Sequence, residues 1–244
     1  MATQRRPERE RMETPLNPRE ERWTVSGPIR PVAPEERIQE LELNAHATVA
    51  DAAPLGLAAF AATTFTIGSA EAGWSTIVSG GVGGAVTTAF IATVPMLIIF
   101  GGIAQFIAAM WSFRKGSTFW ATFLGVFGAL YATLGLGLFL VGSTSIIVSI
   151  ATPDVAAGVA VAMFAFIAAY LTWAAMGESS VMVWVTGFLT VSLALLSAAL
   201  FIGPGAFFVV WAAGYAAIVS ALVAFYASAA IVINSTMQRE VLPY

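Results

Sequence analysis

Residues 86–113 read VTTAFIATVPMLIIFGGIAQFIAAMWSF and are followed by Arg114, Lys115 and Gly116. This stretch carries no charge and exceeds the about 20 apolar residues that cross a hydrocarbon core as an α-helix. Similar stretches recur after Asp51 between short polar or glycine-rich breaks. The pattern predicts an all-α integral membrane protein, folded as a bundle of six transmembrane helices.

The predicted spans are separated by breaks that each carry a charge or a helix breaker. The spans are 54–70, 86–113, 119–143, 155–176, 181–202 and 207–234. The breaks are Glu71 with the glycine-rich stretch 80–84, then 114–116, Pro153 with Asp154, Gly177 with Glu178, and 203–205. We therefore assign residues 46–236 to a transmembrane domain and 237–244 to a short C-terminal tail.

Charge is confined to one end of the chain. Of 244 residues, 58% are hydrophobic and 10% charged, with a mean hydropathy of +0.82. Residues 1–50 hold 8 of the 11 Lys and Arg residues and 9 of the 14 Asp and Glu residues. The remainder has too few charges to cover a soluble globule of its size, which argues against a water-soluble enzyme.

Residues 1–45 form a polar tail with many prolines and few large apolar side chains. We expect this tail to be disordered, because it cannot bury enough surface to offset chain entropy. A short helix over 35–43 is the alternative, with Ile38, Leu41 and Leu43 on one apolar stripe. The tail has no basic block, so no nucleic-acid partner is predicted.

The residue inventory excludes most cofactor chemistry. The chain has no cysteine, and its single histidine, His46, lies beside the polar tail. Every charge after Asp51 lies at a predicted helix end, so no span offers an acid, base, nucleophile or metal set. We predict no enzyme activity, no cofactor and no metal site.

The remaining basic residues predict the orientation. Arg114 and Lys115 lie between the second and third spans, and Arg239 follows the sixth. All three fall on one side of a six-span bundle, together with both termini, and basic loops favour the cytoplasm. We predict a multi-pass protein of the cell membrane with cytoplasmic N and C termini.

Neutral polar residues are the candidates for handling a solute. Thr63 and Thr64 lie in the first span, Gln105 in the second and Tyr131 in the third. A membrane threonine either bonds its own helix backbone or faces a ligand. Gln105 has an amide that its own helix backbone cannot satisfy, so it either lines a path or joins two helices.

Two interpretations are open for the glycines in the spans, and two for the position at which the first helix begins. Glycines such as Gly101, Gly102 and Gly128 either let helices pack closely or make room for a solute. The segment around Asp51 and Pro54 predicts a proline-initiated helix. That helix begins either at the interface or inside the membrane, where its N–H groups would face a carboxylate.

Four segments together resemble one family. The first is Asp51 to Leu57, with Pro54, Leu55, Gly56 and Leu57 in the run APLGL. The others are FGGIAQF at 100–106, FRKGSTF at 113–119 and FGALY at 127–131. With Tyr215, Tyr226, Asn234 and the tail 239–243, they resemble the acetate uptake transporter family, of the succinate-acetate permease type.

The resemblance implies a homo-hexamer in the lipid bilayer, with a solute path through each protomer for acetate or a similar small carboxylate. It also implies a hydrophobic constriction at Phe60, Phe127 and Leu189. Asp51 stands where the family motif has asparagine, and Phe127 where the family has a constriction tyrosine. The family's Phe-Trp pair is Leu130 and Tyr131 here.

Together these observations predict a channel-like transporter for acetate and related short carboxylates, with succinate as a further substrate. Neutral polar groups beside a dry neck would bind an anion weakly and release it readily. The permeant is either the acid, the anion or the anion with a proton. The alternatives are conduction of another small solute such as ammonia, and a membrane sensing or interaction protein that transports nothing.

Overall fold

The apolar stretches form long helices, since a backbone crossing lipid must satisfy its hydrogen bonds internally. The computed structural model describes residues 35, 37–39, 50–74, 88–143 and 154–244. Six described helices are long and apolar enough to cross a membrane, which confirms the predicted fold. They are α1 (Ala53–Glu71), α2 (Thr88–Arg114, in three segments), α3 (Thr118–Ser143), α4 (Val155–Ala175), α5 (Ser180–Ile202) and α6 (Phe207–Met237).

The chain divides into two units, Met1–Thr48 and Val49–Tyr244, and the second contains all six helices. In the first unit, residues 35 and 37–39 are helical, within the helix predicted over 35–43. The rest of the predicted tail lies outside the described residues. So do the glycine-rich stretch 80–84 and the break at Pro153.

Local residues account for where the helices begin and end. Pro54 lies in the first turn of α1, where its missing N–H costs little. The Asp154 side chain accepts a bond from the Ala157 amide at 2.9 Å, and Ser179 accepts one from the Met182 amide at 3.2 Å. Gly203 ends α5 with a φ of 82°. Side-chain caps of this kind satisfy amides that the first helical turn leaves unpaired.

The helices pack in chain order around a shared interior. α1 packs on α2 and α6, α2 on α3, and α5 on α4 and α6. The contact between α3 and α4 is slight. The interior is a buried apolar cluster to which every span contributes, and its members include Phe60, Leu97, Phe127, Leu171, Leu189 and Ala227.

Gly214 allows a close crossing between α1 and α6. A Cβ atom added at Gly214 would lie 2.4 Å from the Ala72 backbone nitrogen and 2.7 Å from the Gly68 carbonyl oxygen. Both atoms belong to the backbone and cannot rotate away. Here a small residue serves close packing, which is one of the two readings given for glycines.

The second span contains a feature that the hydropathy pattern did not predict. Between the α-helical segments Thr88–Pro95 and Gln105–Arg114, residues Met96–Ala104 form a π-helix. Pro95 has no amide hydrogen to donate, so the α-helical bonding pattern is interrupted where the π-helix begins. π-Helical segments often lie at functional positions, and this one ends directly before Gln105.

Candidate functional site

Aromatic rings fill the middle of the bundle. Phe60 on α1 lies 5.0 Å from Phe123, 6.2 Å from Phe127 and 6.1 Å from Tyr131, measured between ring centroids. The three partners lie on α3, four residues apart, and therefore share one helix face. The three phenylalanines are fully buried. We call this group, with Leu189, the neck.

The neck contains the three residues proposed for a constriction. Phe60 and Phe127 contact each other, and Leu189 of α5 belongs to the same buried cluster. Phe123 was missed in the sequence, although its spacing of four residues from Phe127 could have indicated it. The function of these residues as a constriction stays a prediction.

Thr64 and Tyr131 pair with each other. Their hydroxyl groups share a hydrogen bond between α1 and α3, and either oxygen can be the donor. Both side chains are buried. The two hydroxyls are therefore committed to one another beside Phe60.

Most other buried threonines bond to their own helix. Thr63 donates to the Ala59 carbonyl at 2.8 Å, and Thr186 donates to the Met182 carbonyl at 2.8 Å. This is the backbone-bonded alternative that the sequence left open. Thr63 also lies against Gly101, where an added Cβ would stand 2.6 Å from the threonine methyl group.

Gln105 differs from the buried threonines described above in its hydrogen bonding. Its side chain is fully buried, and neither amide atom has a hydrogen-bond partner among the residues that the structure describes. A buried polar group without a partner costs about 1–3 kcal/mol. The described residues provide no helix-joining bond for this amide. That Gln105 lines a solute path stays a prediction.

The position of Gln105 is fixed by close approaches of three helices. One turn earlier on α2, Gly101 lies against Thr63 of α1. On the other side, a Cβ added to Gly128 of α3 would lie 3.2 Å from the Phe106 nitrogen. Gln105 thus lies where α2 crosses α3, close to Gly128, which follows Phe127 in the chain.

The start of α1 holds the charged member of the motif. Asp51 accepts a bond from the Ala53 amide at 3.0 Å through Oδ1, and its Oδ2 lies 2.9 Å from Lys115 Nζ. Asp51 is exposed, and it precedes Ala52, the N-cap residue of α1. Two other residues of the motif contribute to packing, because Leu57 is fully buried and Gly56 lies against Leu124. Leu55 is exposed.

Among the described residues, no charged side chain lies in the middle of a span. Asp51, Glu71, Lys115, Asp154 and Glu178 all lie at helix ends or in connections. No group of three or more His, Cys, Asp or Glu residues that could hold a metal occurs in the described part of the chain. A cavity of about 430 Å³ lies at the opposite end of the bundle from Asp51, lined by Glu71, Asp154 and Trp211 among others.

An uncharged, aromatic neck inside six membrane-spanning helices is the architecture of a membrane channel or transporter. The model of the GPR1/FUN34/yaaH family matches residues 37–243. The chain therefore belongs to this family, the acetate uptake transporter family that its motifs resemble.

Individual proteins and a solved structure are also similar to this chain. An uncharacterized protein of Methanothermobacter thermautotrophicus is 29% identical over 208 residues, covering 84% of this chain and 96% of that protein. Acetate permease A of Emericella nidulans is 32% identical over 89 residues, which are 36% of this chain and 26% of the permease. The solved structure of the bacterial acetate channel SatP matches with a TM-score of 0.70 and 25% identity, covering 80% of this chain and 99% of that chain.

Proposed function

We propose that this protein is a channel-like transporter of acetate and related short carboxylates. Gln105 is the observation that carries the proposal, because a buried amide without a partner among the described residues lies on a helix that packs against Gly128, the residue next to Phe127. An amide offers donors to a carboxylate and acceptors to a carboxylic acid. The names of the SatP channel and of the acetate permease support the substrate class.

The solute path in this proposal passes Phe60, Phe127 and Leu189. The neck contains no charge, so entry of a neutral acid has a small electrostatic cost. A carboxylic acid with a pKa near 4 is still about a tenth protonated at pH 5. The proposal covers transport of the protonated acid, of the anion, or of the anion with a proton, and it includes succinate as a further substrate.

The proposed assembly is a homo-hexamer in the cell membrane with both termini in the cytoplasm. The hexamer rests on the family resemblance. The described bundle has a broad apolar outer face on α4, where Phe166 is 68% exposed and Trp173 is 79% exposed. Such a face requires lipid or neighbouring protomers around it.

Uptake of labelled acetate by proteoliposomes tests the proposal. Gln105→Ala is expected to lower the initial rate about fivefold or more, since losing a hydrogen bond costs about 1 kcal/mol for a neutral acid and about 1.5–3 kcal/mol for an anion. Thr133→Ala is the control variant, because the Thr133 side chain is exposed and donates to the Ala129 carbonyl of its own helix. No uptake above empty liposomes would overturn the proposed function.

Competition and deletion separate the alternatives. Propionate, formate and succinate are expected to compete with acetate, whereas dominant competition by ammonium favours conduction of ammonia. A variant lacking residues 1–45 should retain uptake if the bundle is the transporter. Collapse of a proton gradient by an uncoupler should lower uptake if a proton accompanies the anion.

A further inference from the structure

The cavity of about 430 Å³ lies where the ends of α1 and α5 meet the starts of α4 and α6. Its lining is mostly apolar, and the carboxylates of Glu71 and Asp154 are the charged groups in it. Gly73, Asp154 and Pro204 line the cavity and are exposed, so it opens at this end of the bundle. The apolar part of the lining includes Leu196, Leu200, Phe207 and Trp211.

Backbone hydrogen bonds hold the walls of this cavity. The Asp154 amide donates to the Leu200 carbonyl at 3.0 Å, which joins the start of α4 to the end of α5. Gly203 then turns the chain with a φ of 82°, a conformation that favours glycine. The Ala206 amide donates to the Gly203 carbonyl at 3.0 Å, and α6 begins at Phe207. The shape of the cavity is therefore determined by the backbone.

One face of α5 extends from the neck to this cavity. Four leucines are spaced four, three and four residues apart, which places them on one side of the helix: Leu189, Leu193, Leu196 and Leu200. Leu189 belongs to the neck, and Leu193 lies in the same buried cluster. Leu196 and Leu200 line the cavity. Apolar side chains of α5 thus connect the neck to the cavity.

One face of α1 extends in the same direction. Four residues of α1 have the same spacing and share one side of that helix: Phe60, Thr64, Ile67 and Glu71. Phe60 belongs to the neck, Ile67 packs against its buried cluster, and Glu71 lines the cavity. A solute that leaves the neck along these two faces therefore reaches the cavity beside Glu71.

The charge of the cavity has one sign. Asp154 Oδ1 accepts from the Ala157 amide, whereas the half-buried Glu71 side chain has no hydrogen bond or ion pair with the residues that the structure describes. No basic residue lines the cavity. The basic residues after position 51 follow or end α2 and α6, away from the cavity: Arg114, Lys115 and Arg239. An apolar cleft with charges of one sign focuses their field.

We propose that this cavity is the mouth of the solute path at the Glu71 end of the bundle, and that Glu71 makes the mouth prefer carboxylates of low negative charge. The inference rests on the proposed function and describes the substrate preference of the same path. Coulomb energy is proportional to the product of the charges, so the Glu71 carboxylate repels a succinate dianion about twice as strongly as an acetate anion. Glu71 is thus a specificity-determining residue that favours acetate over succinate.

Uptake of labelled succinate and acetate at pH 8 tests this preference. Glu71→Gln keeps the size of the side chain and removes its charge. The ratio of the succinate rate to the acetate rate is expected to rise about threefold or more, since a unit charge in a cleft changes the local concentration of anions. Glu240→Gln is the matched control, because Glu240 is exposed and follows α6 at the opposite end of the bundle. Its ratio should equal that of the wild type.

Thiol labelling of the purified protein measures the field without transport. The chain contains no cysteine, so Leu200→Cys places a single thiol in the cavity lining. The labelling rate with an anionic methanethiosulfonate, divided by that with a cationic one, should rise about threefold or more when Glu71→Gln is added. Phe208→Cys is the control, because Phe208 is 78% exposed and follows Phe207 outside the lining. There Glu71→Gln should change the ratio less.

The same thiols test whether the cavity is the mouth of the path. A bulky methanethiosulfonate attached at Leu200→Cys is expected to stop acetate uptake, whereas the same label at Phe208→Cys should leave it unchanged. Acetate uptake that persists after complete labelling of Leu200→Cys would overturn the mouth.

The outcomes separate this inference from the proposed function. Acetate uptake by the wild type, with the same succinate to acetate ratio in Glu71→Gln, would overturn the preference alone. If the wild type takes up acetate at neither pH 5 nor pH 8, the proposed function fails. The labelling ratio at Leu200→Cys still decides in that case whether Glu71 controls the charge preference of the cavity, and an unchanged ratio would overturn it.

Discussion

Thr64 on α1 and Tyr131 on α3 share a hydrogen bond one helical turn beyond Phe60. The bond joins the two helices that contribute most of the neck. Its partners lie 67 residues apart in the chain, and both are buried. It commits two hydroxyls that would otherwise be available to a solute.

A double-mutant cycle tests this bond. Thr64→Val and Tyr131→Phe are each expected to lower the free energy of unfolding by about 1–3 kcal/mol, because each leaves a buried hydroxyl without its partner. The double variant should lose less than the sum of the two. Chemical unfolding in detergent, followed by circular dichroism, measures the loss of unfolding free energy in the two single variants and in the double variant. Additive losses would show that the hydroxyls do not interact.

Gly214 provides a test of helix packing. Gly214→Ala is expected to cost about 1–3 kcal/mol, since the new methyl group collides with backbone atoms of α1. Gly137→Ala on α3 is the control, because nothing lies within 4 Å of its added Cβ. There the change should be neutral, or stabilising by up to about 1 kcal/mol through helix propensity. The melting temperatures of the two variants measure this difference. Equal melting temperatures would contradict the close crossing of α1 and α6 at Gly214.

Tyr244 predicts an alkaline pH dependence. Its pKa of about 12 lies above the ordinary value of 10, so its contribution to the folded state is present below pH 10 and is lost as the pH rises toward 12. At pH 11 a free phenol is about nine-tenths ionised. The tyrosinate absorbance of the wild type minus that of Tyr244→Phe should therefore remain small at pH 11. A midpoint of this difference at pH 10 would show that Tyr244 is not buried as the structure has it.

Asp51 predicts a salt-dependent effect on transport. Asp51→Asn keeps an acceptor for the Ala53 amide but removes the partner of Lys115. A lysine without its counter-charge attracts anions, so acetate uptake should rise about twofold or more at low ionic strength. At 1 M salt, where the screening length is about 3 Å, the difference should disappear.

Lys115→Gln is the companion variant and should lower uptake at low salt. The double variant should return close to the wild type. A rise in uptake by Asp51→Asn that is unchanged at 1 M salt would point to a steric effect and contradict the electrostatic explanation.

The six spans could be predicted from the sequence because hydropathy and length decide them almost alone. The family could be predicted too, because motifs such as FGGIAQF keep their order and spacing. Whether a given polar residue bonds its own helix or a neighbouring one could not be predicted from the sequence. That Thr63 bonds its own backbone while Thr64 bonds Tyr131 depends on which helix faces which, and no local pattern encodes it.

Residues 239–243, which fold back onto Asn234 and Tyr226 of α6, show the same limit. Asn234 and Tyr226 were visible only as polar residues of the last span, and 239–243 only as a family-like tail. Their pairing requires a reversal at Gln238, a non-glycine residue in the left-handed region. Side-chain bonds to backbone groups seven and eight residues away have no periodic signature.

The π-helix at Met96–Ala104 has a consequence for the phase of α2. In an α-helix each residue turns the chain by about 100°, so one residue more or fewer in a wide turn rotates everything that follows by that angle. Removing a residue from this segment would turn the Gln105 amide away from its present direction while preserving every apolar residue around it. The direction of the Gln105 amide, which has no partner among the described residues, therefore depends on the length of a segment that contains no polar side chain.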